Sequence, residues 1–320
     1  MILILAFMLF NFSIANECLT SDYIDIRTNR SLYQSALYAQ KKYSVPMKYS
    51  YEKLQCIEPN KTVPSKITAQ KDKKSPNPFA GVQRFVTQDR IDKQKIFYSK
   101  HIKTFHSLAK KVDPHVISSI ICIETLCGDY TGKYSTIKAL ANVVANDHPD
   151  TRHRLHGYMT NELGTLIALD YYGIVDTETL KGSWDGGIGL AQFMPSSYMK
   201  YAISNNQDTP NLFKLEDAIL SIENYLIQHG WRTGQPIVTQ VPSTPHIHQL
   251  MNQKYELKCT PVICPSDTLH TPNKIIKAEL NNETTYWYVF DNQSAIKAYN
   301  PRPNYILSTG ILANLSEAEK

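Results

Sequence analysis

The segment from Asp113 to Gly128 constrains the fold most, because it predicts one buried helix with defined ends. Asp113 is a favoured helix N-cap, and the proline that follows it is tolerated in a first helical turn. Gly128 is a natural stop. A helix this apolar belongs in the interior of a helical domain. The helix carries Ile117, Ile120, Ile121 and a lone acid, Glu124.

Further helices are predicted where apolar residues recur every three or four positions. One covers about Leu32 to Tyr43, another Ile137 to Asn146, and a third about Glu216 to His229. In the third helix Ile219, Ile222, Tyr225 and Leu226 lie on one side. Another apolar face is predicted from Ile102, Phe105, Ala109 and Val112.

The pattern changes after Pro236, where prolines become frequent. Thr284 to Phe290 (TTYWYVF) and Ser294 to Tyr299 (SAIKAY) predict two strands of a hairpin, with Asp291-Asn292 as the turn between them. We therefore expect a mainly α protein of the α+β class, with a small β-hairpin near the C-terminus.

Composition divides the chain into segments. Residues 1–15 carry no charged side chain and end in small residues, which is typical of a secretory signal peptide. Residues 16–58 form an N-terminal arm, and 59–80 are rich in Lys, Pro, Ser and Asn, as linkers are. We expect the main domain at 81–312 and a tail at 313–320. The apolar run near the start is short for a membrane span, so we expect a soluble exported protein, periplasmic or secreted.

The formal net charge of +5 suits attraction to an acidic polymer, although so small a charge is also common in proteins without such a partner. No strong basic patch predicts nucleic-acid binding.

Six cysteines, an even number, favour disulfides in an exported chain. Proximity favours the pairs Cys18–Cys56 and Cys259–Cys264. Cys122 and Cys127 are too far apart for a relaxed bridge within one continuous helix, so they can pair only if the helix ends between them.

Glu124 is a candidate catalytic acid. Its neighbours Ile120, Ile121, Ile123 and Leu126 are apolar, and burial disfavours the charged form of a carboxyl group. An acid that stays protonated near neutral pH can donate its proton to a leaving oxygen. A carboxylate that pairs with a cation or faces solvent gives the same local pattern, and the pattern alone favours that alternative.

Two further segments carry polar groups suited to sugars. In Leu180 to Tyr198 (LKGSWDGGIGLAQFMPSSY) glycines permit close approach to a ligand, and Ser183 and Gln192 offer neutral hydrogen-bonding groups. Asn300 offers both a donor and an acceptor, which suits an N-acetyl group. The alternatives are a flexible turn that binds nothing and an ordinary strand end.

These features together resemble the lytic murein transglycosylases, which share the goose-type lysozyme fold. The likeness is strongest to the membrane-bound lytic transglycosylase B branch, and it covers roughly Val82 to Leu312. The matching segments are IETLCG, KGSWDGGIGLAQFMPSSYMKYA, EDAILSIENYLIQHGW and YWYVF…AYN, in the family's order and at similar spacing. The resemblance implies a lysozyme-like helical domain.

The resemblance also implies that Glu124 is catalytic and that six residues line the substrate cleft. A single carboxylate, rather than the usual glycosidase pair, protonates the oxygen between MurNAc and GlcNAc. The N-acetyl carbonyl of MurNAc stabilises the cation at C1, and the same glutamate then takes the proton of the C6 hydroxyl. A 1,6-anhydro ring closes without water. The implied cleft residues are Ser183, Gln192, Tyr225, Tyr299, Asn300 and Tyr305.

The implied partner is the glycan strand of peptidoglycan. Neither a cofactor nor a bound metal is expected, and neither is stable membrane insertion. No particular cell-wall or secretion-system partner is predicted. Asn205 to Asp217 occupies the place of a calcium loop in the family but lacks its regular acidic spacing, so we expect no calcium or a weak site.

The sequence also departs from the family at Cys127, where an aromatic residue is usual, and at Asp185, which replaces a small residue. A second carboxylate near the site favours an alternative reaction, hydrolysis by a muramidase on the same fold. A third interpretation is a catalytically silent peptidoglycan-binding protein. Glu124, Gln192 and Asn300 together argue against it, because binding alone does not need a buried acid.

Overall fold

The computed structural model describes residues 23–60, 77–146, 156–206, 208–260, 263–264, 270–280 and 283–317. Twelve α-helices and six strands lie in these ranges. The helices are α1 Arg30–Tyr43, α2 Met47–Leu54, α3 Gln88–Lys100, α4 Ile102–Leu108, α5 Pro114–Thr125, α6 Thr136–Ala145, α7 His156–Tyr171, α8 Pro195–Tyr201, α9 Leu215–Gln228, α10 Pro245–Leu250, α11 Gln293–Tyr299 and α12 Pro303–Glu317. The strands are β1 Tyr134–Ser135, β2 Lys181–Gly182, β3 Val238–Val241, β4 Glu256–Lys258, β5 Lys274–Leu280 and β6 Glu283–Val289.

The predicted mainly helical class with a small C-terminal β element is confirmed. The chain forms two compact units, each built from two separate stretches of sequence. The first unit comprises Met1–Lys73 and Thr131–Lys200, and the second comprises Lys74–Tyr130 and Tyr201–Lys320. The predicted signal peptide, Cys18 and most of the predicted linker lie outside the described residues, and the domain limits drawn from composition stay predictions.

In the first unit, α1 packs along α7. The helix α1 begins because the side chain of Asn29 accepts hydrogen bonds from the backbone of Ser31 and Leu32. Leu32 and Ala39 are among its buried residues. The two helix backbones come close at Gly164, where a Cβ atom would lie 2.6 Å from the carbonyl oxygen of Ser35.

The second unit places α5 in its interior, packed against α3, α9 and α12. An antiparallel sheet of order β3-β6-β5-β4 adjoins this helical core. Trp287 on β6 is only 2% exposed, and Val238 on β3 packs near Gly310 of α12. The sheet therefore packs against α12 through β3, and it also forms a separate hydrophobic cluster with α10.

The predicted hairpin is wrong in its second strand. Residues 294–299 form α11, and the actual hairpin pairs β5 with β6, from Lys274 opposite Val289 to Leu280 opposite Glu283. Ala295 and Ile296 are buried while Lys297 is exposed, which is a helical rather than an alternating pattern. Alanine and lysine also favour the helix.

The predicted apolar face beginning at Ile102 is also wrong in part. Helix α4 ends at Leu108, and Ile102 is 43% exposed. The backbone N–H groups of residues 110–112 donate to one carboxylate oxygen of Glu223, each at 2.9 Å, so they do not continue the helix. Helices α1, α6 and α9 match their predictions to within two residues.

Disulfides join Cys122 to Cys127 and Cys259 to Cys264. The spacing of Cys122 and Cys127 predicts that they can pair only if the helix ends between them. This is confirmed, because α5 ends at Thr125. Within the described ranges, no helix is both long enough and apolar enough to cross a membrane.

Candidate active site

Glu124 is the second-last residue of α5. The helix begins where Asp113 accepts a hydrogen bond from the backbone of His115, at 2.8 Å, with a proline in the first turn. Ile123 and Thr125 on either side are buried, whereas Glu124 itself is only half-buried. The predicted acid therefore belongs to a buried helix, and the residue itself stays partly exposed.

Three predicted cleft residues meet beside Glu124 in the second unit, and we call Tyr225, Tyr299 and Tyr305 the tyrosine cluster. They come from α9, α11 and α12 respectively. The rings of Tyr225 and Tyr299 meet edge to face at 5.0 Å, and those of Tyr299 and Tyr305 are nearly parallel at 6.4 Å. The cluster thus joins three helices at the end of α5 that carries the acid.

The tyrosine cluster is electrostatically coupled to the acid. Burial first, and then the negative charge of Glu124, raise the pKa of Tyr305 well above its usual value of 10.0. Tyr299 is partly accessible as a residue, but its hydroxyl is desolvated, and burial and Glu124 raise its pKa in the same direction. Burial raises the pKa of Tyr225 to about 12. All three hydroxyls are therefore neutral donors at physiological pH.

The hydroxyls differ in their partners. Tyr225 donates to the backbone carbonyl of Ala298 at 2.7 Å, which fixes the end of α11. The buried hydroxyl of Tyr305 makes no hydrogen bond of regular geometry within the described part of the chain. Its interaction with Glu124 contributes to the raised pKa. The Tyr305 hydroxyl therefore interacts with Glu124 rather than with the backbone.

Asn300 follows α11 directly. Its backbone is extended, with φ of −146°, and its side-chain oxygen accepts a hydrogen bond from the backbone of Arg302 at 3.2 Å. The residue is half-buried. The structure places it next to Tyr299 in sequence and at the same end of α11.

Ser183 and Gln192 lie in the first unit, in a segment we call the glycine-rich loop, residues 182–193. The Ser183 hydroxyl accepts from the backbone of Gly187 at 2.7 Å, and the Gln192 amide donates to the carbonyls of Thr131 and Gly189 at 3.0 and 2.7 Å. Both side chains therefore stabilise the loop itself. Gln192 has a φ of 47°, so it also forms part of the turn.

The glycine-rich loop needs its glycines for space. A Cβ atom on Gly182 would lie 2.3 Å from the carbonyl oxygen of Gly187. Gly186 has a φ of +98°, and a Cβ atom there would lie 2.7 Å from the side chain of Leu140. The loop is a compact structure closed by backbone bonds rather than a flexible turn.

Asp185 is bound within the same loop. Its carboxylate accepts a hydrogen bond of 2.6 Å from the Ser183 hydroxyl. The departure from a small residue therefore adds a link that closes the turn between positions 183 and 187.

Two residues of the site did not emerge from the sequence. Tyr201 and His229 complete the aromatic surroundings of Tyr225, whose ring stacks on that of His229 at 4.1 Å. The ring of Tyr201 meets that of Tyr225 at 4.7 Å, and the His229 ring also contacts the Tyr225 backbone through a 2.7 Å hydrogen bond. The sequence signal was the i, i+4 spacing of Tyr225 and His229 on α9.

The segment expected to lack a strong calcium site is organised by one carboxylate. The two oxygens of Asp217 accept from the backbone of Asn205 at 2.9 Å and of Asn211 at 2.7 Å. Among the residues that the structure describes, no group of three potential ligands is placed to hold a metal ion. The absence of calcium stays a prediction.

Comparison with known proteins gives a family match over most of the chain. The family model described as "Transglycosylase SLT domain" matches residues 31–314. The membrane-bound lytic murein transglycosylase B of Escherichia coli (strain K12) is 29% identical over 234 residues. The alignment covers 71% of this chain and 63% of that protein, slightly less than two thirds of its length.

Solved structures share the fold. The Escherichia coli lytic transglycosylase Slt35, determined in complex with bulgecin A, superposes with a TM-score of 0.73 at 23% identity, over 92% of this chain and 96% of that one. SltB3 from Pseudomonas aeruginosa, in complex with NAG-NAM-pentapeptide, gives a TM-score of 0.71 at 20% identity, over 90% and 80% of the two chains.

Proposed function

The chain belongs to the transglycosylase SLT domain family, and from that premise we propose that it is a lytic transglycosylase that cleaves peptidoglycan glycan strands without water. The observation that carries the proposal is the position of Glu124. It is a half-buried acid at the end of a buried apolar helix, with the neutral hydroxyls of Tyr299 and Tyr305 close enough to feel its charge.

Two features favour the protonated form of Glu124 before reaction. The carboxyl group stands on an interior helix, close in sequence to the buried Ile120, Ile121 and Ile123. It also lies in the last turn, where the partial negative charge of the helix end disfavours a second negative charge. A protonated carboxyl group is the form needed to donate to a leaving oxygen.

The reaction then needs only this one carboxyl group. Glu124 donates its proton to the oxygen between MurNAc and GlcNAc, and the bond from that oxygen to C1 of MurNAc breaks. The N-acetyl carbonyl of MurNAc stabilises the cation at C1. The Glu124 carboxylate takes the proton of the C6 hydroxyl, and the C6 oxygen bonds to C1. The acid is restored, and the product ends in 1,6-anhydro-MurNAc.

Residues around Glu124 are proposed to orient the sugar ring against the acid. The Tyr305 hydroxyl interacts with Glu124, and the Tyr299 ring lies nearly parallel to the Tyr305 ring. These groups suit a sugar ring, which presents an apolar face and hydroxyl edges. Asn300 is proposed to bind the N-acetyl group through its side-chain amide. Holding the ring against the acid is the main contribution expected of such residues.

Ser183 and Gln192 are proposed to shape the cleft indirectly. Their hydrogen bonds hold the glycine-rich loop, and we propose that this loop contacts the glycan. The bond between Ser183 and Asp185 ties up one oxygen of the second carboxylate. A carboxylate oxygen that already accepts a hydrogen bond is a weaker base, which argues against Asp185 as an activator of water.

The location and partner follow from the same proposal. A peptidoglycan enzyme acts outside the cytoplasm, which agrees with the predicted signal peptide and with the disulfides. The formal net charge of +5 would assist approach to an acidic polymer.

Substitution of the acid tests the proposal. The change Glu124→Gln is nearly isosteric, and it should reduce solubilisation of purified peptidoglycan by at least about a thousandfold, because general acid–base transfer contributes 10²–10⁴-fold at each step. The matched control is Glu283→Gln, an exposed acid at the start of β6, which should keep full activity. Wild-type rates in a folded Glu124→Gln protein would refute the single-acid mechanism.

A further inference from the structure

The turn that follows Glu124 has an unusual backbone. Leu126, Cys127 and Gly128 have consecutive φ angles of 54°, 60° and 92°. Glycine adopts this left-handed region readily, but leucine and cysteine are disfavoured there by contact of Cβ with the backbone. Such conformations persist only where the surroundings impose them, and they concentrate at functional sites.

Two sets of bonds impose this turn. The disulfide from Cys122 to Cys127 brings their Cα atoms to 3.7 Å. The hydroxyl of Thr125 donates to the carbonyl of Ile121 at 2.8 Å and accepts from the backbone of Gly128 at 3.0 Å. The disulfide closes a ring of backbone whose four inner residues include Glu124. The candidate acid thus sits inside a covalent loop.

We propose that the Cys122–Cys127 disulfide is a positioning device that holds Glu124 in its reactive orientation, so that full activity requires the bond. The inference rests on the proposed function. A bridge between residues only five apart closes a short loop, so it constrains the unfolded chain less than a long one would. Its main effect is therefore local, on the end of α5. Displacement of a catalytic group by about 1 Å can reduce a rate about a hundredfold.

The chain offers a matched control. Cys259 and Cys264 form a second disulfide with the same separation of five residues. Replacing both members of each pair by serine gives two proteins that have each lost one short disulfide loop. Circular dichroism and melting temperature report on folding of each.

The expected result is a difference in kcat. The variant Cys122→Ser/Cys127→Ser should lose at least about tenfold in kcat on a soluble glycan fragment, with KM changed by less than about threefold, because orientation rather than binding is impaired. The variant Cys259→Ser/Cys264→Ser should keep its kcat. Equal kcat values in the wild type and the Cys122→Ser/Cys127→Ser variant would overturn the inference, as would an equal loss in both variants.

Reduction of the folded protein tests the same point without a substitution. Dithiothreitol supplies two electrons and two protons to the disulfide, giving two thiols, while it closes to its own cyclic disulfide. Cys127 is partly exposed, so the bond can be reached. Reduction should lower kcat of the wild type and of Cys259→Ser/Cys264→Ser, and reoxidation should restore it. An equal loss in Cys122→Ser/Cys127→Ser would assign the effect to another bond.

These experiments separate the inference from the proposed function. Oxidised wild-type protein without any activity on peptidoglycan would contradict the proposed function itself. An active wild type whose kcat is insensitive to the Cys122–Cys127 bond would leave that function intact and refute only the positioning role.

Discussion

Glu124 shows what a sequence can disclose about a single residue. Its apolar neighbours on a helix with an Asp-Pro start make it a candidate acid, but that pattern alone favours a paired or solvent-facing carboxylate. The catalytic role was implied by the family resemblance. Its half-exposure and the tyrosines beside it depend on α9, α11 and α12, which are 90 to 190 residues later in the chain. Tyr201 and His229 were missed for the same reason, since their role arises only from packing against Tyr225.

The buried hydroxyl of Tyr305 should contribute to the rate of cleavage and little to the free energy of unfolding. The change Tyr305→Phe removes a hydroxyl without a full hydrogen bond, so the free energy of unfolding should stay equal or rise by about 1 kcal/mol. The rate of peptidoglycan cleavage should fall about tenfold, because the hydroxyl no longer interacts with Glu124. Denaturant titration and a turbidity assay measure the two effects. A large loss of stability would show instead that the hydroxyl is structurally bonded.

Because of the same tyrosines, the stability of the folded protein should decrease at alkaline pH. Tyr299 and Tyr305 have a folded-state pKa well above 10.0, while in the unfolded chain their pKa is ordinary. Above about pH 10 the unfolded state therefore releases protons that the folded state retains, and stability must fall as pH rises. Below that pH the contribution is constant. Melting temperatures between about pH 8 and pH 11 should show the decline. The Tyr305→Phe variant should decline less steeply; an identical slope would contradict the assignment.

At the scale of helices and strands, local signals located α1, α6 and α9 well. The failures have physical causes elsewhere in the chain. Helix α4 stops at Leu108 because Glu223, more than a hundred residues away, takes the next three N–H groups. The strand β6 was predicted correctly, but its hairpin partner was placed after it in the chain. The actual partner, β5, precedes β6. A hairpin pattern alone does not say on which side the neighbouring strand lies.

The close contact between α1 and α7 predicts that adding one methyl group at Gly164 lowers the stability of the protein. The change Gly164→Ala places a Cβ atom 2.6 Å from the Ser35 carbonyl and 2.9 Å from the ring of Tyr38. The helices must separate, which should lower the free energy of unfolding by about 1–3 kcal/mol. Gly157→Ala on the same helix is the control, because nothing lies within 4 Å of that position, and it should be neutral or mildly stabilising. Equal melting temperatures for both variants would contradict the close packing.

At the scale of the whole molecule, the two units interleave in sequence. The N-terminal arm joins residues 131–200 in the first unit, and the family match already begins at residue 31. The limits of the arm, the linker and the main domain were drawn from composition alone, and they stay predictions. The mainly helical class was predicted correctly, because each helix leaves its own three- and four-residue periodicity in the sequence.

The most direct test is mass spectrometry of the fragments that the purified protein releases from peptidoglycan, with Glu124→Gln as the control. We predict fragments that end in 1,6-anhydro-MurNAc, one water lighter than reducing ends, from the wild type alone. Ordinary reducing MurNAc ends would contradict internal C6 attack and establish hydrolysis, with Asp185 as the first residue to replace. Release of no fragments by the wild type would contradict cleavage altogether and favour a binding role.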